Sequence, residues 1–280
     1  MSGRATKGDK RPWTFYALAG LFGLFLLFLY GPMVVIYVLS FQGPDGGVTF
    51  PMVGTSVGWF RNILEPGQMA NIPVSFSRSL ELALLVSGIT VVISVAAGLG
   101  FRRRFPGSGV LFYLAIASLV MPSLLVGFGI GLGFQFLGLQ TNLFTSALGA
   151  QLTWTLPFGL LVMFAVVDRF NRSWEEAAND LGASAWQRLV HVTLPILLPG
   201  ILGVAVGAFT LSYDEYARTT LTIGTKNTLP LEIYALISSS SSPTLFAIGT
   251  VTTAVSFLLI GATLLVIFRM QRRRNPIRSV

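Results

Sequence analysis

The sequence predicts an all-α membrane protein with six transmembrane helices and both termini in the cytoplasm. Three observations carry this. Charged residues make up 11% of the 280 residues and hydrophobic ones 53%, whereas a soluble domain carries about 25% charged residues. Charge this sparse, with a mean hydropathy of +0.72, cannot cover a 30.2 kDa globule in water. Six apolar stretches approach the roughly 20 residues that cross a bilayer as a helix, and basic residues are spread unevenly over the segments between them.

The first span, Phe15–Leu39, follows Arg4, Lys7, Lys10 and Arg11. It is too long for a secretory signal and no small-residue cleavage site follows it, so it reads as a retained helix, bent near Gly31-Pro32. An outer segment, Gln42 to Ser77, contains Trp59 and a short amphipathic stretch over Val57–Leu64. The next spans are Leu80–Phe101, Val110–Phe134, Leu148–Val167 and Ile196–Leu211, the last running into Tyr213, Asp214 and Glu215. A second outer segment, Arg218 to Thr244, holds a short helix at Pro230–Ile237 and a serine run, Ser238–Ser242, that reads as a loop. Phe246–Phe268 closes the series. The expected organisation is one transmembrane domain over 14–268, between a tail at 1–13 and a basic tail at 269–280, with no internal repeat.

With the N-terminus inside, the inner segments hold fifteen of the 19 basic residues, and the outer ones hold Arg61, Arg78, Arg218 and Lys226. That asymmetry places both termini inside. It also accounts for the net charge of +8 without nucleic acid: the runs Arg102–Arg104 and Arg272–Arg274 anchor the topology, with contact to anionic membrane lipid as a by-product. Zero cysteine removes disulfides and thiolate metal sites. His191 is the single histidine and reads as a surface or packing residue, so neither catalytic nor metal-ligating residues are expected. No phosphate-binding G-x-x-x-x-G-K-[ST] run is present. Gly127, Gly129, Gly131 and Gly133 form overlapping G-x-x-x-G pairs inside an apolar span, which suit close helix approach. An autonomous secondary transporter, the competing reading, would need a coupling-ion site and an inverted repeat; the sequence offers neither.

The segment from about Asp168 to Pro195 carries the most information. Ser173 with Glu176, and Ser184 with Gln187, have the spacing of helix-capping boxes. Gly182 suits a helix stop, and Pro195 suits the first turn of the next helix. Two short helices lying on the cytoplasmic face are therefore expected, joined at Gly182. Ala177 and Ala178 leave a shallow surface, while Trp174, Leu181 and Trp186 offer apolar anchors. The residues alone allow either a docking element or an ordinary interfacial loop.

Glu176-Ala177-Ala178, three residues, Gly182, nine residues, then Val192-x-Leu194-Pro195 resembles the EAA loop of permease subunits of binding-protein-dependent ABC importers, whose pattern is E-A-A-x3-G-x9-I-x-L-P. Only Val192 departs from it, and it keeps the branched apolar shape. The resemblance implies a type I ABC importer permease fold in the bacterial inner membrane. It implies a coupling helix between spans four and five, with Glu176, Ala177, Ala178 and Gly182 docking on an ATPase and with Leu194 and Pro195 fixing the return into span five. The implied partners are two ATPase subunits that bind ATP and Mg, a second homologous permease, and a periplasmic or extracellular substrate-binding protein. This chain itself would bind no cofactor, and transport would proceed by alternating access.

A finer resemblance concerns substrate. Phe209-Thr-Leu-Ser-Tyr-Asp-Glu215 and Leu229-Pro-Leu-Glu-Ile-Tyr234 look like corresponding segments of the spermidine/putrescine-type permeases, in their PotC-like branch. The same subfamily includes permeases for opines, aminophosphonates and other small solutes. Tyr213, Asp214, Glu215, Glu81 and Gln151 are the candidate pathway or gate residues, since carboxylates and aromatic faces suit an organic ammonium ion. Plainer roles are open at this point. Arg218 stands four residues beyond Asp214 and Arg78 three before Glu81, so both acids could be paired, and Gln151, Thr153 and Thr155 could bond to neighbouring helices.

Overall fold

The computed structural model describes residues 12–63, 72–103, 105–239 and 242–274. Among them there is no β-strand, only one isolated antiparallel bridge between Gln42 and Thr55. In chain order the helices are α1 (Trp13–Leu39), α2 (Gly58–Asn62), α3 (Ile72–Gly100), α4 (Ser108–Val120), α5 (Ser123–Phe136), α6 (Leu148–Asp168), α7 (Ser173–Asp180), α8 (Ala185–Arg188), α9 (Leu194–Tyr213), α10 (Leu229–Ser239) and α11 (Thr244–Arg274). Wider π-helical turns precede α6, at Leu143–Ala147, and α9, at Leu189–Thr193. Among the described residues four helical stretches are long and apolar enough to cross a bilayer: Trp13–Leu39, Ile72–Gly100, Leu143–Asp168 and Ala185–Tyr213. The α4–α5 pair makes a fifth if counted as one broken span, and α11 carries the sixth predicted stretch.

The structure corrects several expectations. Val110–Phe134 is not one helix: α4 and α5 meet at 104°. Pro122 disfavours helical geometry at the residue before it, and Met121 is extended, at φ −65° and ψ 130°. The Pro122 carbonyl then starts α5 by accepting the N–H groups of Leu125 and Val126. The second span starts at Ile72 rather than Leu80, about 12 Å of extra helix, and α2 covers only Gly58–Asn62 of the predicted amphipathic stretch, whose Leu64 lies outside the described residues. Ser238 and Ser239 end α10 instead of belonging to a loop; Ser240 and Ser241 lie outside the described residues. Pro230 does sit in the first turn of α10, and the Leu229 N–H at its start is taken up by Ser79 Oγ at 2.9 Å.

The described residues fall into two compact units, one within Met1–Ile63 and Ser241–Thr252, the other within Leu64–Ser240 and Thr253–Val280. In the first, α1 is exposed from Trp13 to Tyr30, while Leu39 at its end is buried. The chain after it folds around buried Gln42, whose amide donates to Gly47 O at 2.9 Å and accepts from the Val53 N–H at 2.9 Å. Trp59 Nε1 donates to Gln42 O at 2.6 Å. The second unit is built on mutual packing of α3, α6 and α9. One apolar cluster joins Leu82, Val86, Leu143, Ala147, Ile223 and Leu231; another joins Met163, Val167, Phe170, Leu197 and Val204. Buried hydroxyls bond between helices, Thr90 Oγ1 with Thr155 Oγ1 at 2.9 Å and Ser87 Oγ with Ala205 O at 2.7 Å. These groups must find partners inside the protein because lipid offers none. At Gly159 both α3 and α9 press on α6: a Cβ there would collide with Ser94 Oγ and stand 2.8 Å from Thr90 Cγ2 and 3.1 Å from Val204 Cγ1.

Candidate functional site

The loop between α6 and α9 takes a defined shape. Phe170 closes the core just after α6, and Asn171 Oδ1 accepts the Ser173 N–H at 3.0 Å. That bond replaces the expected Ser173–Glu176 capping box. Ser173 is already helical, so its side chain cannot serve as the cap of its own helix. Glu175 and Glu176 lie in the first turn of α7, where the helix dipole favours negative charge. The helix ends as Gly182 predicts. At φ +81° this residue adopts the left-handed conformation that glycine tolerates without penalty. The Gly182 N–H reaches Asn179 O at 2.9 Å and the Ala183 N–H reaches Ala178 O at 3.0 Å, the paired bonds of a Schellman stop.

The second capping box forms. Ser184 Oγ accepts the Gln187 N–H at 3.3 Å, and Gln187 Oε1 accepts the Ser184 N–H at 2.8 Å. The second short helix is not separate, however. α8 continues through the π-helical turn into α9, giving one 29-residue helical stretch, Ala185–Tyr213. Leu194 and Pro195 therefore lie inside a continuous rod, with Pro195 in the first turn of α9. Trp174, Leu181 and Trp186 are each more than half exposed, and Glu176 and Ala177 are exposed. His191 is exposed, with Nδ1 3.1 Å from Gln187 O.

The sequence reading assigned no role in this loop to Glu175, Arg102 or Thr193. Arg102, just past α3, holds Glu175 with both nitrogens of its fork, Nη1 to Oε1 at 2.8 Å and Nη2 to Oε2 at 2.9 Å. Thr193 Oγ1 donates to Glu175 Oε1 at 2.6 Å. The Arg102 guanidinium lies 4.9 Å over the Phe170 ring, and Arg172 Nη2 donates to Arg102 O at 3.0 Å. The two hydrogen bonds from Arg102 are the main reason the Glu175 carboxyl is held below its ordinary value, against the opposing effect of burial. Two acids in the first turn of α7 were a signal that more than one partner was needed, but nothing local distinguishes Arg102 from Arg103.

The other candidate residues lie at the opposite end of the unit, because α3 and α9 run antiparallel. Phe76, near the start of α3, meets the Tyr213 ring edge-on at 6.2 Å, and Tyr213 stacks on Phe209 at 5.8 Å. Glu81 lies five residues beyond Phe76, about 7.5 Å along α3. It is exposed, and no ion pair engages it among the described residues. Arg78 donates instead to Asn227 O at 3.2 Å. Asp214 is likewise exposed and outside the ion pairs. Arg218 turns to Glu215, not Asp214: the chain leaves the helix at Tyr213, so helical i,i+4 geometry no longer applies. The Arg218 N–H donates to Glu215 Oε1 at 2.8 Å, and Nη1 lies 3.6 Å from Oε2. Arg218 is fully buried, 4.8 Å over the Trp154 ring, with Nη1 donating to Ser123 Oγ at 2.7 Å. Gln151 is also buried; its amide accepts from Ser212 Oγ and donates to Thr219 Oγ1 at 2.9 Å. Tyr216 and Tyr234 pair at 4.9 Å.

The glycine stripe of α5 receives a loop rather than a helix. A Cβ on Gly127 would stand 2.8 Å from Arg218 O, and one on Gly131 2.7 Å from Leu221 O, while Gly129 and Gly133 face open space.

The sequence matches a known family. The profile of the family described as "Binding-protein-dependent transport system inner membrane component" matches residues 88–275. The spermidine/putrescine transport system permease protein PotC of Escherichia coli (strain K12) is 26% identical over 85% of this chain and 89% of its own length. The putrescine transport system permease protein PotI of the same organism is 27% identical over 86% of this chain and 85% of its own. Among solved structures, a chain of a bacterial ABC transporter that imports the acidic polysaccharide alginate superposes with a TM-score of 0.66. It is 17% identical, and the match covers 93% of this chain and 96% of that one.

Proposed function

Because the chain belongs to the family of binding-protein-dependent transport system inner membrane components, we propose that it is one of two permease subunits of an ATP-driven importer for polyamines or related small amines. The observation that carries this reading is the loop between α6 and α9. A short helix, α7, with an exposed Glu176-Ala177 surface and exposed Trp174 is tied back to the bundle at Arg102 and packs against α8, the first turn of a membrane-length rod. That is the form of an element that takes a push from a partner and passes it to the membrane helices.

In this reading Glu176, Ala177, Ala178 and Gly182 seat on an ATPase, and Leu194 and Pro195 carry the movement into α9. Two copies of that ATPase bind ATP and Mg. A second homologous permease completes the pathway, and a periplasmic or extracellular binding protein delivers the ligand. The chain crosses the bacterial inner membrane six times, α4–α5 counting as one crossing, with both termini inside. Residues 14–268 form one permease domain between the tails 1–13 and 269–280.

The amine assignment rests on the names of the relatives and on the far end of the bundle. Among the described residues Glu81 and Asp214 take part in no ion pair; Asp214 follows directly on Tyr213 and Glu81 lies five residues beyond Phe76 on α3, and carboxylates with aromatic faces attract ammonium groups. A carboxylate facing lipid would be costly, so Glu81 belongs on the pathway face. Glu215 and Gln151 stand behind this surface as supports. Affinity purification from native membranes tests the reading: an ATPase and a second permease should copurify. Uptake of a radiolabelled polyamine should fall at least about tenfold in a Glu81→Gln/Asp214→Asn chain that still assembles, since each carboxylate lost removes a charge-assisted contact. Recovery of this chain alone would refute the importer subunit, and unchanged uptake would refute the two carboxylates as cation contacts.

A further inference from the structure

We propose that Glu175 is the joint through which α7 drives the membrane helices, with Arg102 at the end of α3 and Thr193 at the start of α9 as its two anchorages. The inference rests on the reading of α7 as the ATPase-docking helix and adds a positioning role for three residues outside the docking surface.

The two adjacent glutamates face different ways. Successive residues on a helix are about 100° apart. Glu176 is exposed and Glu175 turns inward, its side chain 26% exposed. One side of α7 is thus free for a partner while the next binds the bundle. α7 itself packs on α8 and the π-helical turn; its link to the end of α3 is the Arg102 fork. Both carboxylate oxygens are engaged, at 2.8 and 2.9 Å. A side-on pair of hydrogen bonds of this kind resists rotation as well as separation. Arg102 is itself fixed, its guanidinium over Phe170 and its carbonyl bonded by Arg172, and Phe170 is anchored in the cluster with Met163 and Val167.

The third bond reaches a different helix. Thr193 is buried and is the last residue of the π-helical turn. Such turns concentrate at functional sites and hinges. A displacement of α7 is therefore delivered to α3 and α9 together. These are the two antiparallel helices whose far ends carry Phe76 and Glu81, and Tyr213 and Asp214.

The experiment has two arms. The sequence contains no cysteine, so Ala96→Cys on α3 and Asp180→Cys at the end of α7 give a clean nitroxide pair in the full-length chain in lipid nanodiscs. Pulsed electron resonance should give one narrow distance distribution. It should broaden clearly in Glu175→Gln and Arg102→Gln, and less in Thr193→Val, which keeps the ion pair. In the second arm the complete importer is reconstituted in proteoliposomes. Amine taken up per ATP hydrolysed should fall about three- to tenfold in Glu175→Gln, with the hydrolysis rate retained. The exchange Arg102→Glu/Glu175→Arg should recover at least about half of the loss, which a mere packing defect would not do. If Glu175→Gln does not fold, Thr193→Val and Arg102→Lys carry both arms, since lysine keeps the charge but not the fork. An unchanged distribution, unchanged uptake per ATP, or an exchange no better than the single variants would overturn the proposal. Absence of any copurifying ATPase would instead refute the importer reading, and the distances in the first arm would still decide whether the clamp holds α7.

Discussion

The Arg102–Glu175 and Arg218–Glu215 pairs share a chemistry and differ in setting. Arg218 is fully buried, its partner three residues away, and its Nε and Nη2 have no hydrogen-bond partner among the described residues. It fills the crook made by the α4–α5 break, touching Ser123 and Trp154. Arg102 and Glu175 are 15% and 26% exposed and 73 residues apart in sequence. A buried pair has lost its hydration, so it is costly to separate and suits a fixed rivet. A pair that still touches water costs less to separate, so it contributes less to holding the fold together and more to fixing the orientation of α7 through its two bonds.

The largest predicted effect breaks the buried side of this comparison. Arg218→Ala leaves Glu215 without its cation and empties the space under Trp154; we expect a loss of about 3–5 kcal/mol, read as a drop in thermal unfolding temperature in detergent. The same change at Arg102 should cost markedly less. Equal losses would erase the distinction between rivet and joint. Next in size is Gly127→Ala, whose new Cβ would press on Arg218 O; overpacking of this kind costs about 1–3 kcal/mol. Gly129→Ala, with nothing within 4 Å, should be neutral or slightly stabilising, and the two unfolding curves measured side by side check whether α5 cradles the loop.

A third prediction sharpens the exposed side. Because Arg102 holds the Glu175 carboxyl below its ordinary value of 4.5, that group contributes stability that is fully present above pH 4.5 and lost as the pH falls through the lower folded value. An ionic hydrogen bond contributes about 1.5 kcal/mol. Melting temperature followed from pH 6 to pH 3 should therefore fall less steeply in Glu175→Gln than in the parent; parallel profiles would contradict the pairing. The smallest effect is expected from Ser184→Ala, which removes an exposed cap at a cost of about 0.5–1 kcal/mol. It should lower stability without changing uptake per ATP, in contrast to Glu175→Gln.

Much of the molecule was legible before any coordinates. Some helix signals behaved as read: Gly182 is left-handed, Ser184 with Gln187 makes its box, and Pro195 lies in the first turn of α9; the Ser173–Glu176 box did not form. Prolines in the spans were not legible. Pro32, Pro157 and Pro199 lie within helices, whereas Pro122 separates two. All four residues lack the same N–H; only after Pro122 does a buried residue of a distant segment, Arg218, donate to the new helix at Ser123 Oγ and lay its carbonyl against Gly127.

Sequence alone determined what depends on a run of neighbours: that the chain is helical and lives in a membrane, and that the loop after α6 stops a helix at Gly182 and restarts one at Ser184. Tertiary structure alone decided which acid each arginine chose, which glycines are in contact, and that Glu175 reaches Arg102 and Thr193. Capping, span length and composition act over a few residues to a few turns and leave a local pattern. Ion pairs and close contacts join residues as far apart as 73 or 95 positions; which of several chemically equal candidates is used depends on where packing brings them, and no local pattern records that.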